Sequence, residues 1–311
     1  MSEAQLENDW LRLRIATEHG ASPIEFSLRS SQVPACPPAA PDFLPILRPT
    51  SAEVLRAGDS ARFGSYTLCP YSNRIRDGRM RFLGRDLALS PNWPDGQVIH
   101  GDVRMRRFVV EQPDSQTLRC RYESRHESTP NFPFHFALKK TYRLEGTALH
   151  IELTLTNTDS QPMPAGLGIH PYFVRTLWPK AADPRLRFFA RGEYAVDAQV
   201  IPTGPSQPLS VDHDFAQPRP VYAQPIDCVF SGWDGEATLT WPGTGVTLAL
   251  RADPLFGHFV VYNGDPDGTL ALEPVSHATD ACNLAERGVP GTGLQVLAPA
   301  ASLHGHITLA L

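Results

Sequence analysis

The chain has 311 residues, 41% hydrophobic and 20% charged, a composition that supports a sizeable core and argues against disorder. A net charge of -5 and a pI near 6.1 argue against nucleic acid or an anionic membrane as the main partner. No stretch approaches the roughly 18 apolar residues of a membrane span, and the first residues lack the apolar core of a signal peptide. Five scattered cysteines without a CxxC are poor material for a disulfide framework or a structural zinc site, so the expectation is a soluble, cytoplasmic protein.

Period-2 alternation predicts strands from end to end. Leu11, Leu13 and Ile15 alternate with Arg12 and Arg14 near the start. The Pro-rich stretch from Pro34 to Pro49 reads as a long surface loop after the first hairpin. Turn signals follow at Arg76-Asp77-Gly78 and Glu145-Gly146, and Leu149, Ile151, Leu153 and Leu155 then alternate with polar partners. A second long loop runs from Pro202 to Pro220. After it come Val246, Leu248 and Leu250, the turn Asn263-Gly264-Asp265, and finally Ile307, Leu309 and Leu311. Thirty prolines and 23 glycines leave few windows in which a helix could run. The fold class is therefore all-β: a large antiparallel β-sandwich with little helix, in one domain over residues 1–311.

Against that scaffold, four polar segments break the alternation. They are Cys69-Pro70-Tyr71-Ser72-Asn73-Arg74-Ile75, followed by Asp77-Gly78 and Phe82-Leu83-Gly84; Ile99-His100-Gly101-Asp102; Gly166-Leu167-Gly168-Ile169-His170-Pro171-Tyr172-Phe173; and Leu272-Glu273-Pro274-Val275-Ser276-His277, then Thr279-Asp280-Ala281-Cys282-Asn283. Alone, Asn73-Arg74 reads as an ordinary turn and His100 as a loop histidine. His170 and Glu273 stand in apolar surroundings, where an imidazole needs a partner and a carboxylate is seldom placed without a role. Two other groupings point less far. His304-Gly305-His306 has a two-residue spacing, but in a terminal strand both imidazoles should face solvent, and no third ligand to His100 and His170 stands at a fixed offset, so no metal site is expected. No Gly-x-Ser-x-Gly supports a nucleophile.

In this order along the chain, the four segments resemble the aldose 1-epimerases of the galactose mutarotase-like superfamily, over roughly residues 8–311. Asn73-Arg74-Ile75, Gly78-Arg79-Met80, His100-Gly101, His170-Pro171-Tyr172-Phe173, Asp227 before Phe230, and Glu273-Pro274 carry the resemblance, with Met80 where the family more often has Phe. Asp234 competes with Asp227 for the substrate-binding aspartate; Pro225-Ile226 and Phe230 place Asp227 better in the family frame.

The resemblance implies a galactose mutarotase-like sandwich that interconverts the α and β anomers of a free aldose such as glucose or galactose, without cofactor or metal. Glu273 would be the base, His170 the acid, and His100 an assisting hydrogen-bond donor. Asn73, Arg74, Asp227 and Tyr172 would bind the sugar, with Tyr172, Phe173 or Phe256 packing on its apolar face. At neutral pH an ordinary glutamate is ionised and an ordinary histidine partly protonated, and the carboxylate should favour the imidazolium further. Two alternatives remain: a hexose-6-phosphate epimerase of the same superfamily, and a sugar-binding protein that kept the fold without catalysis.

Overall fold

Because each alternating run has one apolar face, the runs must pair side by side and bury that face against a second layer. The computed structural model describes residues 3–112 and 114–311. Its largest sheet has nine strands, in the order Val109–Glu111, Thr117–Glu123, Phe136–Glu145, Ala148–Asn157, Ser302–Ala310, Val246–Ala252, Glu236–Trp241, Arg185–Phe188 and Arg219–Pro220. The predicted runs at 149–155, 246–250 and 307–309 are neighbours in its middle. Leu149 pairs with Leu309, which in turn pairs with Leu250.

A second sheet carries the strands that matter for function. Its order is Gln207–Pro208, Gly192–Glu193, Asp227–Ser231, His258–Tyr262, Leu270–Val275, Gly168–Ile169 and Thr67–Leu68, with Tyr172–Phe173 also paired to Leu270–Val275. Leu138, Leu149 and Leu248 of the larger sheet share one apolar cluster with Phe230, Phe259, Leu270 and Leu272 of this one. The N-terminal run forms part of a four-stranded sheet of Glu3–Glu7, Leu11–Ala16, Ser22–Arg29 and Phe43–Pro45.

The fold is thus all-β and antiparallel throughout its named strand pairs. The described residues hold two short α-helices, Ala52–Ala57 and Ala281–Glu286. The Pro-rich stretch departs from the surface loop expected of it. Its second half forms the strand Phe43–Pro45, and Leu44, Ile46 and Leu47 are at most 1% exposed. The 202–220 loop holds a short strand of one sheet, Gln207–Pro208, and one of the other, Arg219–Pro220. Of the terminal histidines, His304 is exposed as expected. His306 is half-buried because its ring stacks on His150 across the strand pair, at 5.4 Å.

One inward position breaks the apolar rule. Phe136, Leu138, Lys140, Tyr142 and Leu144 share a face, and Lys140 is 1% exposed. Its ammonium donates to the carbonyls of Gly20 and Ala21 and to Thr67 Oγ1, while burial depresses its pKa to about 8.

Candidate active site

Register on the second sheet decides which side chains meet. Asp227, Tyr262 and Ala271 lie in one cross-strand row, and Val229, Val260 and Glu273 in the next row on the same face. The alternate residues Leu270 and Leu272 turn into the core, as alternation requires. Glu273 therefore stands on the outer face of this sheet, at the floor of a cleft of about 490 Å³. The same cleft is lined by Asn73, Arg74, His100, His170, Tyr172 and Asp227. All seven positions singled out in the sequence converge there, although they span about 200 residues of chain.

His170 sits between two short strands that both hydrogen-bond to Leu270–Val275, Gly168 opposite Val275 and Tyr172 opposite Ala271. Its backbone N–H donates to Tyr66 O at 2.9 Å, which fixes the imidazole over the sheet. The ring's Nε2 lies 3.1 Å from Glu273 Oε1, with both side chains at most 5% exposed. Tyr66 and Tyr172 flank the imidazole at ring-centre distances of 4.7 and 4.5 Å.

His100 is held by a tight backbone device. It has a left-handed φ of 63° and is followed by Gly101 at 74°. A Cβ on Gly101 would lie 2.1 Å from Cys69 O, so only glycine fits. His100 N–H donates to Asn73 O, and the ring meets His170 edge-on at 5.0 Å. Asn73, itself at φ 56°, turns its Oδ1 to accept from both the backbone N–H and Nη1 of Arg74, while Gln97 accepts from Nε. The guanidinium is thereby aimed, and Nη2 has no protein partner among the described residues.

The aromatic candidates separate on burial. Phe173 and Phe256 are 0% exposed in the core and reach no cleft surface. Tyr172 lines the cleft, but His170 stacks on its ring and the Arg48 guanidinium lies 3.8 Å from its centre, so its faces are taken. Its ring is thus a support for His170 and offers no open platform to a sugar. Trp93 and Tyr262, half-buried in the cleft wall and missed in the sequence, are the open aromatics. Asp234 lies outside the cleft lining and accepts from Glu236 N–H instead, whereas Asp227 opens into the cleft.

The cleft mouth was also missed. Arg48, 6% exposed, pairs with Asp265 at 3.1 Å and donates to the carbonyls of Ala61 and Phe63. Asp267 lies within 3.8 Å of both Arg48 and Arg62. An arginine beside Leu44, Ile46 and Leu47 was the available signal for Arg48; Asp265 was hidden in a segment that reads only as a turn.

Burial rearranges the protonation expected from ordinary values. It pushes the Glu273 carboxyl well up, with the Asp227 charge adding and Arg74 opposing. It pushes His170 well down, helped by Arg48 and Arg104. His100 is likewise lowered, first by burial and then by His170, Arg104 and Arg74. Asp227 is raised more modestly by the cleft walls, with Arg74 opposing. Desolvation thus opposes the carboxylate–imidazolium pair expected from ordinary values and presses both partners toward their neutral forms. At 3.1 Å the two atoms are close enough for a proton to pass directly between them. Among the described residues, Oε2 of Glu273 and Nδ1 of both His100 and His170 have no hydrogen-bond partner. One donor atom from each of His100, His170 and Glu273 lies within 4.8 Å of the others, a two-nitrogen, one-oxygen set that a divalent ion would also accept.

Fold and cleft together define a large antiparallel β-sandwich with a buried carboxyl–imidazole pair on the outer face of one sheet. The chain belongs to the aldose 1-epimerase family, whose model matches residues 43–310. It is similar to the uncharacterized protein YphB of Escherichia coli K12, at 27% identity over 86% of this chain and 89% of that one. YihR of the same organism is 30% identical over 70% of each chain. Among solved structures, an E. coli K12 protein provisionally assigned as an aldose 1-epimerase superposes with a TM-score of 0.81 at 25% identity, over 99% of this chain and 98% of the other. A galactose mutarotase-like protein from Clostridium acetobutylicum gives 0.82 at 19% identity, over 98% and 93%, a likeness of fold.

Proposed function

We propose that this protein is an aldose 1-epimerase that interconverts the α and β anomers of a free aldose by proton transfer alone, in a single domain and in the cytoplasm. The observation that carries the reading is the 3.1 Å contact between Glu273 Oε1 and His170 Nε2 at the floor of a sugar-sized cleft. Anomer exchange needs one group to take the proton from the anomeric hydroxyl and another to protonate the ring oxygen. The ring opens to the aldehyde, the C1–C2 bond rotates, and the reverse transfers close the ring on its other face.

A pair that shares one proton suits this symmetry. With that proton on His170 and Glu273 ionised, Glu273 takes the hydroxyl proton while His170 delivers its own to the ring oxygen, and closure by the reverse transfers returns each to its starting state. His100 donates to the ring oxygen or a neighbouring hydroxyl. Arg74, aimed by Asn73 and Gln97, holds sugar oxygens, and Asp227 accepts from hydroxyls across the cleft. Trp93 and Tyr262 offer apolar faces to the sugar's C–H surface.

A neutral sugar suits the mouth better than a phosphorylated one, since Arg48 and Arg62 already face Asp265 and Asp267. A pure binding protein would have no use for a buried acid–base pair whose desolvation destabilises the fold. The test follows anomer exchange by NMR over a panel of free and phosphorylated aldoses, with polarimetry on freshly dissolved α-glucose and α-galactose. Acceleration of at least one free aldose is expected. Binding without acceleration of any sugar would refute the enzymatic reading, and a preference for 6-phosphates would refute the substrate class.

A further inference from the structure

On the opposite face of the sheet edge from the cleft lies a second cluster of metal-type donors, Glu193, His213 and Cys228, with all three donor atoms within 4.8 Å of one another. We propose that these three side chains form a binding site for a thiophilic divalent transition-metal ion of the zinc type, which clips the 202–220 loop to the second sheet.

Topology brings them together. Glu193 is in the edge-proximal strand Gly192–Glu193, which pairs with Asp227–Ser231 through Glu193 and Phe230. Cys228 and Phe230 share the inward face of that strand, while Asp227 faces the cleft. His213 ends the short 3-10 turn Val211–His213 and packs its ring edge-on against Phe230 at 5.7 Å. The turn is already docked, because Ser210 N–H donates to Glu193 Oε1. That bond leaves Oε2 facing His213 Nδ1 at 2.5 Å and Cys228 Sγ at 3.9 Å.

Charge favours a cation here. Cys228 is 6% exposed, and its thiol is pushed up first by burial and then by the charges of Glu193 and Asp227. Among the described residues no lysine or arginine pairs with Glu193; His213 is its ion-pair partner. One thiolate and one carboxylate with a neutral imidazole balance a dication, and binding would release the thiol proton. Sulfur, nitrogen and oxygen donors together are a set that zinc accepts. Tetrahedral zinc needs ligand atoms separated by roughly 3.3–3.7 Å, given bond lengths of about 2.0–2.3 Å. The Glu193–His213 contact must therefore open slightly. Both side chains are about a fifth exposed and free to do so, at 18% and 24%. Water completes the fourth position from that exposed side.

The test titrates metal-stripped full-length protein with Co²⁺ and Zn²⁺ alone. Cobalt at about one equivalent should give tetrahedral visible bands and a thiolate-to-cobalt charge-transfer band. Zinc should displace cobalt and raise the melting temperature. Cys228→Ser and His213→Ala should each abolish the charge-transfer band and the zinc-dependent gain, while Cys36→Ser keeps both. His213→Ala alters a partly exposed turn, so it decides the matter even if Cys228→Ser misfolds. The proposal is overturned by any of three results: no sulfur charge transfer, a band that survives His213→Ala, or saturation only at millimolar metal. Cobalt bands without sulfur charge transfer would place the ion elsewhere, at His100, His170 and Glu273 above all, and would equally overturn it.

Discussion

Replacing Glu273 by Gln keeps the size and hydrogen-bonding shape of the side chain and removes its ability to take a proton. In the structure the site gives little scope for substitution. Glu273 is 2% exposed and His170 4%, and a sugar filling the cleft leaves no bulk water beside the pair to act as the missing base. Asp280, a nearby carboxylate seven residues further along the chain, accepts from Arg76 N–H and Asn283 and lies outside the cleft lining. The loss should therefore be that of one positioned proton-transfer group, about 10²–10⁴ in kcat, or roughly 2.7–5.4 kcal/mol at about 1.36 kcal/mol per decade. The same substitution should stabilise the fold at neutral pH. The carboxyl's folded pKa is raised above its unfolded value of 4.5, so the wild type is penalised progressively as pH rises through and above 4.5, while the amide is not. The melting temperature of Glu273→Gln should exceed that of wild type near pH 7, and the gap should close below about pH 4. Polarimetry gives the rate and thermal scans at two pH values give the stability. Near-normal turnover would refute the role of Glu273, and a gap that widened toward acid would refute the desolvation argument.

His170→Asn should likewise lower kcat by about 10² or more with KM little changed, as measured on whichever free aldose turns over fastest. The acid limb of kcat/KM should fall below the ordinary histidine value of about 6.5, because burial and Arg48 lower His170 and a second proton enters the pair only at more acid pH; a midpoint at or above that value contradicts the electrostatics. Gly101→Ala should destabilise by roughly 3 kcal/mol or more, summing left-handed strain and a backbone overlap that cannot relax, and thermal melting should show a fall of about 6 °C or more. Asp227→Asn should raise KM several-fold while Asp234→Asn leaves kinetics unchanged; equal effects would undo the choice between them. Turnover of at least one sugar should survive EDTA, and activity that returned only with a divalent ion would displace proton transfer as the mechanism.

What the sequence made legible was whatever left a periodic or ordered trace. Strands such as Ala148–Asn157 and Val246–Ala252 followed from alternation alone. The convergence of Asn73, Arg74, His100, His170, Tyr172, Asp227 and Glu273 followed from an ordered set of short motifs. Lys140 escaped because its pattern is that of a strand, and only the tertiary carbonyls of Gly20 and Ala21 explain an ammonium in the core. Arg48, Trp93 and Asp265 escaped because each reads locally as loop, and their place in the cleft wall depends on distant partners. The direction in which Glu273 and His170 are shifted escaped for a related reason: pKa values follow burial, and burial is a property of packing.

The cleft wall divides by origin. Glu273 and Asp227 stand in strand registers fixed by long hydrogen-bonded ladders, and His170 is pinned between two strands on the same sheet. Asp265, Asp267, Trp93 and Arg62, which shape the mouth, lie on connections outside the strands. The reacting pair can thus stay fixed while the mouth is rewritten by insertions or exchanges in those connections, each paid for locally in surface structure. On the proposed epimerase reading, exchanges confined to those loops would change which sugar fits while the proton-transfer pair stays the same.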